Sequence, residues 1–404
     1  MRQAKYLDFP LDEYKVRYGK AKKLMQDHAI DALFLTDRSN VEYFTGFTTI
    51  SWRLRDKQFY TLIPRDEMEK TVLIVDTVHE GNAENTSWVQ DVRYWSPEGK
   101  SYIDLTMETI CDLELEKATI GMELGHGQRI WMTQMDFDVI KKSLPKANLV
   151  DASDLVGKVK AIKSKLEIER IRRACKITCE AIKAGFESFR KGMSERDLSN
   201  LMVQYMLEGG ADSCYYGNSI GYFSVRANRP AQMTPVPVDR EIEKGDIIRV
   251  DGGAVYKSYQ SDIIRMAIVG EKPSEDHEKL YNALAKAFEA TEKVIKPGAT
   301  PSEIFNRYVD VIRKEGYEKL MPRWTSTRGV IFGHGLGFEI HEEPFLCNGI
   351  KRRLEEGMVF AFEQGLKIHP DSLLSLDLEE NFLVTKKGCE LLSPLERKIW
   401  TTSF

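Results

Sequence analysis

Two segments decide how this chain is read: Asp246-Ile247-Ile248-Arg249-Val250-Asp251-Gly252-Gly253 and, a few residues on, Gln260-Ser261-Asp262-Ile263-Ile264-Arg265. Asp251 lies inside the strand-like run 247–255 and Asp262 immediately before the run 263–269, each against apolar neighbours. Pairing them across a tight turn at Tyr256-Lys257 sets Asp251 directly opposite Asp262 on one face. Like charges roughly 5 Å apart destabilise a sheet unless they share a proton or hold a cation, and the apolar flanks remove screening water. Taken alone, the pair reads equally well as one surface aspartate and one turn residue.

Downstream residues tip the balance. Glu363 interrupts the run Met358-Val359-Phe360-Ala361-Phe362, and Glu379 leads into Phe382-Leu383-Val384. An unpaired charge in a buried strand is costly, and no basic residue stands inside these two runs, so a metal ion is the economical counter-charge. His334 lies in Gly333-His334-Gly335-Leu336-Gly337, where glycines let the backbone approach closely and aim one imidazole. Four carboxylates and one histidine suit manganese, iron, cobalt or zinc, with bridging carboxylates setting two ions about 3.5 Å apart. A phosphate-cradling loop is the rival reading of 333–337, but no Lys-Ser/Thr follows it. His341, in His341-Glu342-Glu343-Pro344, stands open as a second ligand, an acid/base group or a surface histidine.

The chain around these residues has 404 positions, enough for two domains. Residues 1–155 read as α/β. A helix runs through Tyr14, Tyr18, Ala21 and Met25, a buried strand follows at Ala32-Leu33-Phe34-Leu35, apolar runs recur at 59–63 and 72–75, and helical periodicity returns after Arg129. No GxGxxG follows the first strand and no GxxxxGK[ST] occurs, so nothing marks a nucleotide site. Residues 156–404 open with a long helix carrying Ile162, Leu166, Ile171, Cys175, Ile182 and Phe186 on one face. Ser194-Glu195-Arg196-Asp197 and Thr300-Pro301-Ser302-Glu303 have the residues of capped helix starts. Helices and hairpin-connected strands in separate blocks indicate an α+β domain on an antiparallel sheet.

A net charge of -4 gives no general attraction for nucleic acid or anionic membrane, which points to a small partner. No apolar run is long enough to span a bilayer, and Met1-Arg2-Gln3-Ala4-Lys5 leads into charged sequence, so a cytoplasmic protein is expected. The six cysteines lack a CxxC and are expected to be reduced.

These residues resemble the pita-bread metallopeptidases, the family of methionine aminopeptidase, aminopeptidase P and prolidase, with creatinase as a non-metal relative. The family pattern is an aspartate, a second about a dozen positions on, GHGxG with HExP, GMV followed by glutamate, then a glutamate before a VLVT-like strand. Asp251, Asp262, His334 with 341–344, Gly357-Met358-Val359 with Glu363, and Glu379 with Leu383-Val384-Thr385 match it in order and spacing. Ile30-Asp31-Ala32, the segment 39–47 and Lys163-Ser164 look like the creatinase and prolidase type of N-terminal half.

The resemblance implies a C-terminal pita-bread domain, a curved antiparallel sheet flanked by helices. It also implies two divalent ions per chain, manganese first with cobalt, zinc or iron as alternatives, and a homodimer in which Trp52 and Arg53 approach the neighbour's site. Asp262 and Glu379 would bridge both ions, Asp251 would bind one, and His334 and Glu363 the other. A metal-bridging hydroxide would attack an amide carbonyl, most simply in Xaa-Pro peptides, with Glu363 carrying the proton and His341 stabilising the oxyanion.

Two positions depart from the family pattern. A histidine usual eleven residues before the glycine that opens the first metal strand, here Gly245, is replaced by Thr234. Threonine hydrogen-bonds but does not shuttle protons near pH 7. Gln364-Gly365 stands in place of the frequent Pro-Gly. Two substrate classes therefore stay open: Xaa-Pro peptides, with Arg226 or Arg229 gripping a carboxylate, or a small non-peptide metabolite handled by a related hydrolase or lyase. A catalytically dead binding module would have lost a ligand, and none is missing.

Overall fold

Ala32-Leu33-Phe34-Leu35 is buried along its whole length, and the N-terminal unit is assembled around it. The structure, a computed structural model, describes residues 1–212, 223–228, 236–322 and 331–404, and the chain divides into two units, Met1–Lys160 and Ala161–Phe404. In the first, α1 (Leu11–Asp27), β1 (Ala32–Leu35), α2 (Arg38–Thr45), β2 (Tyr60–Pro64), β3 (Val72–Asp76) and α3 (Glu80–Thr86) come in order. They are followed by β4 (Asp91–Trp95), α4 (Tyr102–Asp112), β5 (Thr119–Met122), α5 (Gln134–Ser143), β6 (Asn148–Asp151) and α6 (Ser153–Ala161). The strands form one mixed sheet in the order β4-β3-β2-β1-β5-β6. β1 lies between antiparallel β2 and parallel β5, which explains why it is apolar throughout and does not alternate. Tyr14, Ala21 and Met25 bury the inner face of α1, while the Tyr18 hydroxyl at its edge donates to the carbonyls of Pro64 and Arg65.

The second unit opens with α7 (Lys165–Ser188), started by a reciprocal cap between Ser164 and Glu167. That start leaves Ile162 before the helix, and Leu166, five residues from Ile171 and so on another side of the helix, is 38% exposed; neither shares the buried stripe of Ile171, Cys175, Ile182 and Phe186 expected from the sequence. The capped starts at Ser194 and Thr300 open α8 (Glu195–Glu208) and, further on, a helix with proline in its first turn. Between them come β7 (Phe223–Ala227), β8 (Ile247–Gly252), β9 (Val255–Tyr256), β10 (Tyr259–Gln260), β11 (Ile263–Val269) and α9 (Glu275–Glu292). The chain continues through that proline-started helix, α10 (Pro301–Lys314), then β12 (Ile331–Gly335), β13 (Glu342–Cys347), β14 (Val359–Lys367), β15 (Ser375–Val384), β16 (Cys389–Leu391) and β17 (Trp400–Thr402). The larger strands form two sheets, β17-β11-β8-β7 and β13-β12-β14-β15-β16, antiparallel except where β17 joins β11.

Period-two alternation sorts the faces. Ile264, Met266 and Ile268 of β11 pack with α9, α10 and the apolar residues of β14 and β15, whereas Ile263, Ala267 and Val269 pack with α7 and α8. The hairpin itself differs from the expectation. Its turn falls at Lys257-Ser258, both with positive φ, where the Ser258 amide donates to Asp212, and Asp251 pairs with Ile264 instead of Asp262. Two residues with positive φ give the turn whose twist matches flanking strands. Moving the turn by one residue shifts every pair by two, one full strand repeat, so Asp262 stays on the face of Asp251 as its diagonal neighbour.

Two buried side chains tie the sheets together, Asn381 on this face and Arg265 behind it. Asn381 on β15 accepts the Asp262 amide at 3.1 Å and donates its own amide to the Asp262 carbonyl. Arg265, fully buried on the far face of β11, donates to the Glu379 carbonyl and the Glu380 carboxylate, each at 2.9 Å. Asn381→Ala strands both backbone groups of Asp262, so the metal-free protein should lose about 2–4 kcal/mol in urea unfolding, far more than a surface asparagine would cost.

Candidate metal centre

The face selected by alternation gathers charge from five strands. β8 presents Arg249 and Asp251, and Asp262 stands just before β11. Glu363 on β14 is the direct cross-strand partner of Glu379 on β15, and His334 on β12 pairs with Ala361, one strand repeat from Glu363. Glycines make β12 fit: a Cβ at Gly333 would lie 2.4 Å from the Ala361 carbonyl, and one at Gly335 would lie 2.3 Å from that of Glu343.

Ligand-type atoms of Asp251, Asp262 and Glu379 lie within 4.8 Å of one another, as do those of Asp262, His334 and His341. His334 Nε2 is 3.7 Å from Asp262 Oδ2 and 3.8 Å from Glu379 Oε1. Asp251, Asp262, His334 and Glu379 are all buried, Glu363 is partly open and His341 lies at the exposed edge. The His341 ring stacks on His334 with centroids 3.8 Å apart.

Burial sets the electrostatics. It drives Asp262 and Glu379 well above the carboxylate range, helped by the neighbouring acids. It also lifts Glu363 to about 8, reinforced by Asp251 and opposed by Arg249, and raises Asp251 against the pull of Arg249. Burial and the adjacent His341 pull His334 down to about 3, and burial lowers His341 as well. Without an ion, burial favours the protonated form of Asp262, Glu363 and Glu379 and the neutral form of both imidazoles.

Among the described residues, no N–H or hydroxyl donor reaches Asp262 Oδ1 or either Glu379 carboxylate oxygen, and these two acids face each other. Buried oxygens without donors are uncommon, and around a neutral imidazole they form a donor set that fits divalent transition ions. The residues present therefore suit the metal that the sequence reading called for. One premise of that reading needs correction: a buried cation is at hand, supplied from neighbouring strand β8. The Arg249 guanidinium pairs with Asp251 at 2.6 Å, Asp377 at 2.7 Å and Glu363 at 3.3 Å.

Arg249, Asp377 and Asn381 are the residues that sequence reasoning missed. The one signal available was a charged or amide residue at the same two-residue step as a ligand. Of the substrate residues considered, Arg226 is buried on β7 opposite Arg249, within 4.0 Å of Asp377. Trp52 is buried in the N-terminal unit between Phe47 and Phe59. Thr234, Arg229 and the side chain of Arg53 lie outside the described residues.

Metal binding at such a centre must displace protons. Because burial pushes Glu363 up to about 8 and raises Asp262 and Glu379 as well, an ion must compete with protons for these carboxylates, and manganese affinity should rise as pH climbs from 6 to 8. Calorimetry in buffers of different ionisation enthalpy should register net proton release, largest at the lower pH.

Comparison with known proteins gives the family. Residues 169–386 match the model of metallopeptidase family M24, and residues 17–162 match that of the creatinase/prolidase N-terminal domain. The Xaa-Pro dipeptidase of Pyrococcus furiosus is 27% identical over 388 residues, covering 95% of this chain and 99% of the relative. An uncharacterized peptidase of Bacillus subtilis is 30% identical over 374 residues, covering 92% and 96%. Among solved structures, the Xaa-Pro dipeptidase from Bacillus anthracis aligns with a TM-score of 0.80 at 25% identity, over 96% of this chain and 99% of its own. The X-Pro aminopeptidase from Thermotoga maritima aligns at 0.78 and 25%, over 95% and 99%. With one family model matching more than half of the sequence and full-length relatives sharing both halves, this chain belongs to metallopeptidase family M24.

Proposed function

We propose that this M24 member hydrolyses the amide bond of Xaa-Pro peptides, with Asp251, Asp262, His334, Glu363 and Glu379 holding two divalent ions, manganese by preference. The observation that carries the reading is the set of buried carboxylate oxygens left without donors beside a neutral His334. The peptide class is taken from the Xaa-Pro dipeptidases that the chain is similar to. Bound ions supply Lewis acidity and bring the ionisation of water toward neutral pH.

The chain's own residues do the rest. Glu363, the one carboxylate of this set that is partly open, would take a proton and pass it to the departing nitrogen. His341 is neutral at pH 7, so one ring N–H remains to donate to the developing oxyanion, and stacking on His334 restrains its plane. Thr234 offers a hydroxyl where related peptidases carry a histidine, which leaves the proton work to Glu363. The same threonine favours the second reading, a hydrolase or lyase acting on a small non-peptide metabolite.

A manganese-reconstituted assay separates them, using an Xaa-Pro dipeptide, a longer peptide with proline second and a non-proline dipeptide. Proline-dependent cleavage is expected, reduced at least about 100-fold in Asp262→Ala, since losing a ligand costs more than losing a partner outside the ligand shell. Manganese bound at two per chain with no peptide cleaved would favour the metabolite reading. Steady-state kinetics of His341→Ala should show kcat down about 100-fold with KM little changed, the mark of a contact made in the transition state.

A further inference from the structure

Arg249 is a buried cation at this centre that the ligand set does not use. It is 3% exposed, lies on β8 two residues before Asp251 and shares its face. Three different nitrogens of its guanidinium meet three different carboxylates: Nε donates to Asp377, Nη1 to Asp251 and Nη2 to Glu363. Asp377 occupies the equivalent place on β15, two residues before Glu379 and on the same face. Opposite Arg249 on β7 stands Arg226, also buried, whose guanidinium comes within 4.0 Å of that Asp377 oxygen. Two facing guanidiniums inside a sheet repel, and Asp377 is a carboxylate that both approach.

We propose that Arg249, anchored by Asp377, is a positioning residue of the metal centre: by occupying one oxygen of Asp251 and one of Glu363, it decides which oxygen each carboxylate turns toward an ion and toward substrate. A planar fork is required for this, because one cation must satisfy three acceptors in three directions, and the compact ammonium of lysine lacks that geometry. The contrast within the centre supports the assignment. Asp251 and Glu363 are oriented by Arg249, whereas Asp262 and Glu379 keep oxygens without donors among the described residues and have their backbones held by Asn381 and Arg265.

The inference rests on the metal-centre reading above. Its test is a manganese titration of the metal-stripped full chain by calorimetry, with kcat and KM measured on whichever peptide the wild type cleaves. Arg249→Met and Arg249→Lys should each lower manganese affinity or kcat about 10–100-fold, with KM changing less. Asp377→Asn should move the same quantities in the same direction by a smaller factor, and Arg249→Met/Asp377→Asn should be no worse than Arg249→Met alone, because Asp377 acts through Arg249. Arg249→Lys equal to wild type in both quantities would mean that charge alone suffices and overturns the proposal. So would Arg249→Met lowering only the unfolding temperature. If Arg249→Met does not fold, Arg249→Lys and Asp377→Asn decide the matter. A wild type that binds no manganese sinks the metal-centre reading and this inference together, whereas one that binds manganese without cleaving peptide sinks only the peptidase reading, and the titration still decides.

Discussion

Repulsion among five carboxylates, Asp251, Asp262, Glu363, Asp377 and Glu379, is the constraint on which the catalytic unit depends. They come together on one face of two sheets, largely out of water, where charge is expensive and neighbours of like sign make it more so. Such a site persists in only a few ways: it holds protons, it holds cations, or it is braced by arginine. This chain has the means for all three. Burial raises the carboxyls enough to retain protons, the donor geometry suits divalent ions, and Arg249 braces the side of Asp251 and Glu363.

Strands are what make such crowding tolerable. A strand fixes the direction of each side chain to within its pleat, so carboxylates two residues apart cannot turn away from one another by backbone relaxation. The elements around the centre remove the remaining freedom. Asn381 and Arg265 hold the main chain at Asp262 and Glu379, glycines at 333 and 335 let β12 press against its neighbours, and the cores under α9, α10 and α7 carry both sheets. A rigid frame is the condition for the centre to favour an ion over collapse into a hydrogen-bonded network.

That these acids gather on one face was legible because each stands out from its own surroundings: an aspartate or glutamate amid β-branched and aromatic neighbours needs a reason that sequence alone can demand. The hairpin register was not legible, since Tyr256-Lys257 and Lys257-Ser258 are both plausible turn centres. The turn that forms has its Ser258 amide donating to Asp212, more than forty residues away, a contact no local pattern shows. The face survived the error only because a one-residue move of the turn is a two-residue move of the pairing. Arg249 was visible as a charge in a strand, yet its partner Asp377 lies 128 residues on, a distance that no local pattern spans. Leu166 shows the opposite failure. It stands five residues before Ile171, about 140° around the helix, so it falls off the stripe on which the sequence reading placed it and faces solvent.

Charge bookkeeping argues for two ions instead of one under the proposed reading. Counted fully ionised, the five carboxylates carry five negative charges, and the guanidiniums of Arg226 and Arg249 offset two of them, leaving three. His334 adds nothing while burial keeps it neutral. A single divalent cation leaves the face negative by one, which in a dry site would be met by keeping a proton, and a protonated carboxyl is a poor ligand. Two divalent cations would let every proton leave and would give one positive charge in excess. That surplus is what an anionic nucleophile, or the carboxylate of a short peptide, would neutralise on arrival. Arg249 is therefore as much a part of the electrostatic design as the ligands, because without its charge the same two ions would leave no surplus to attract either.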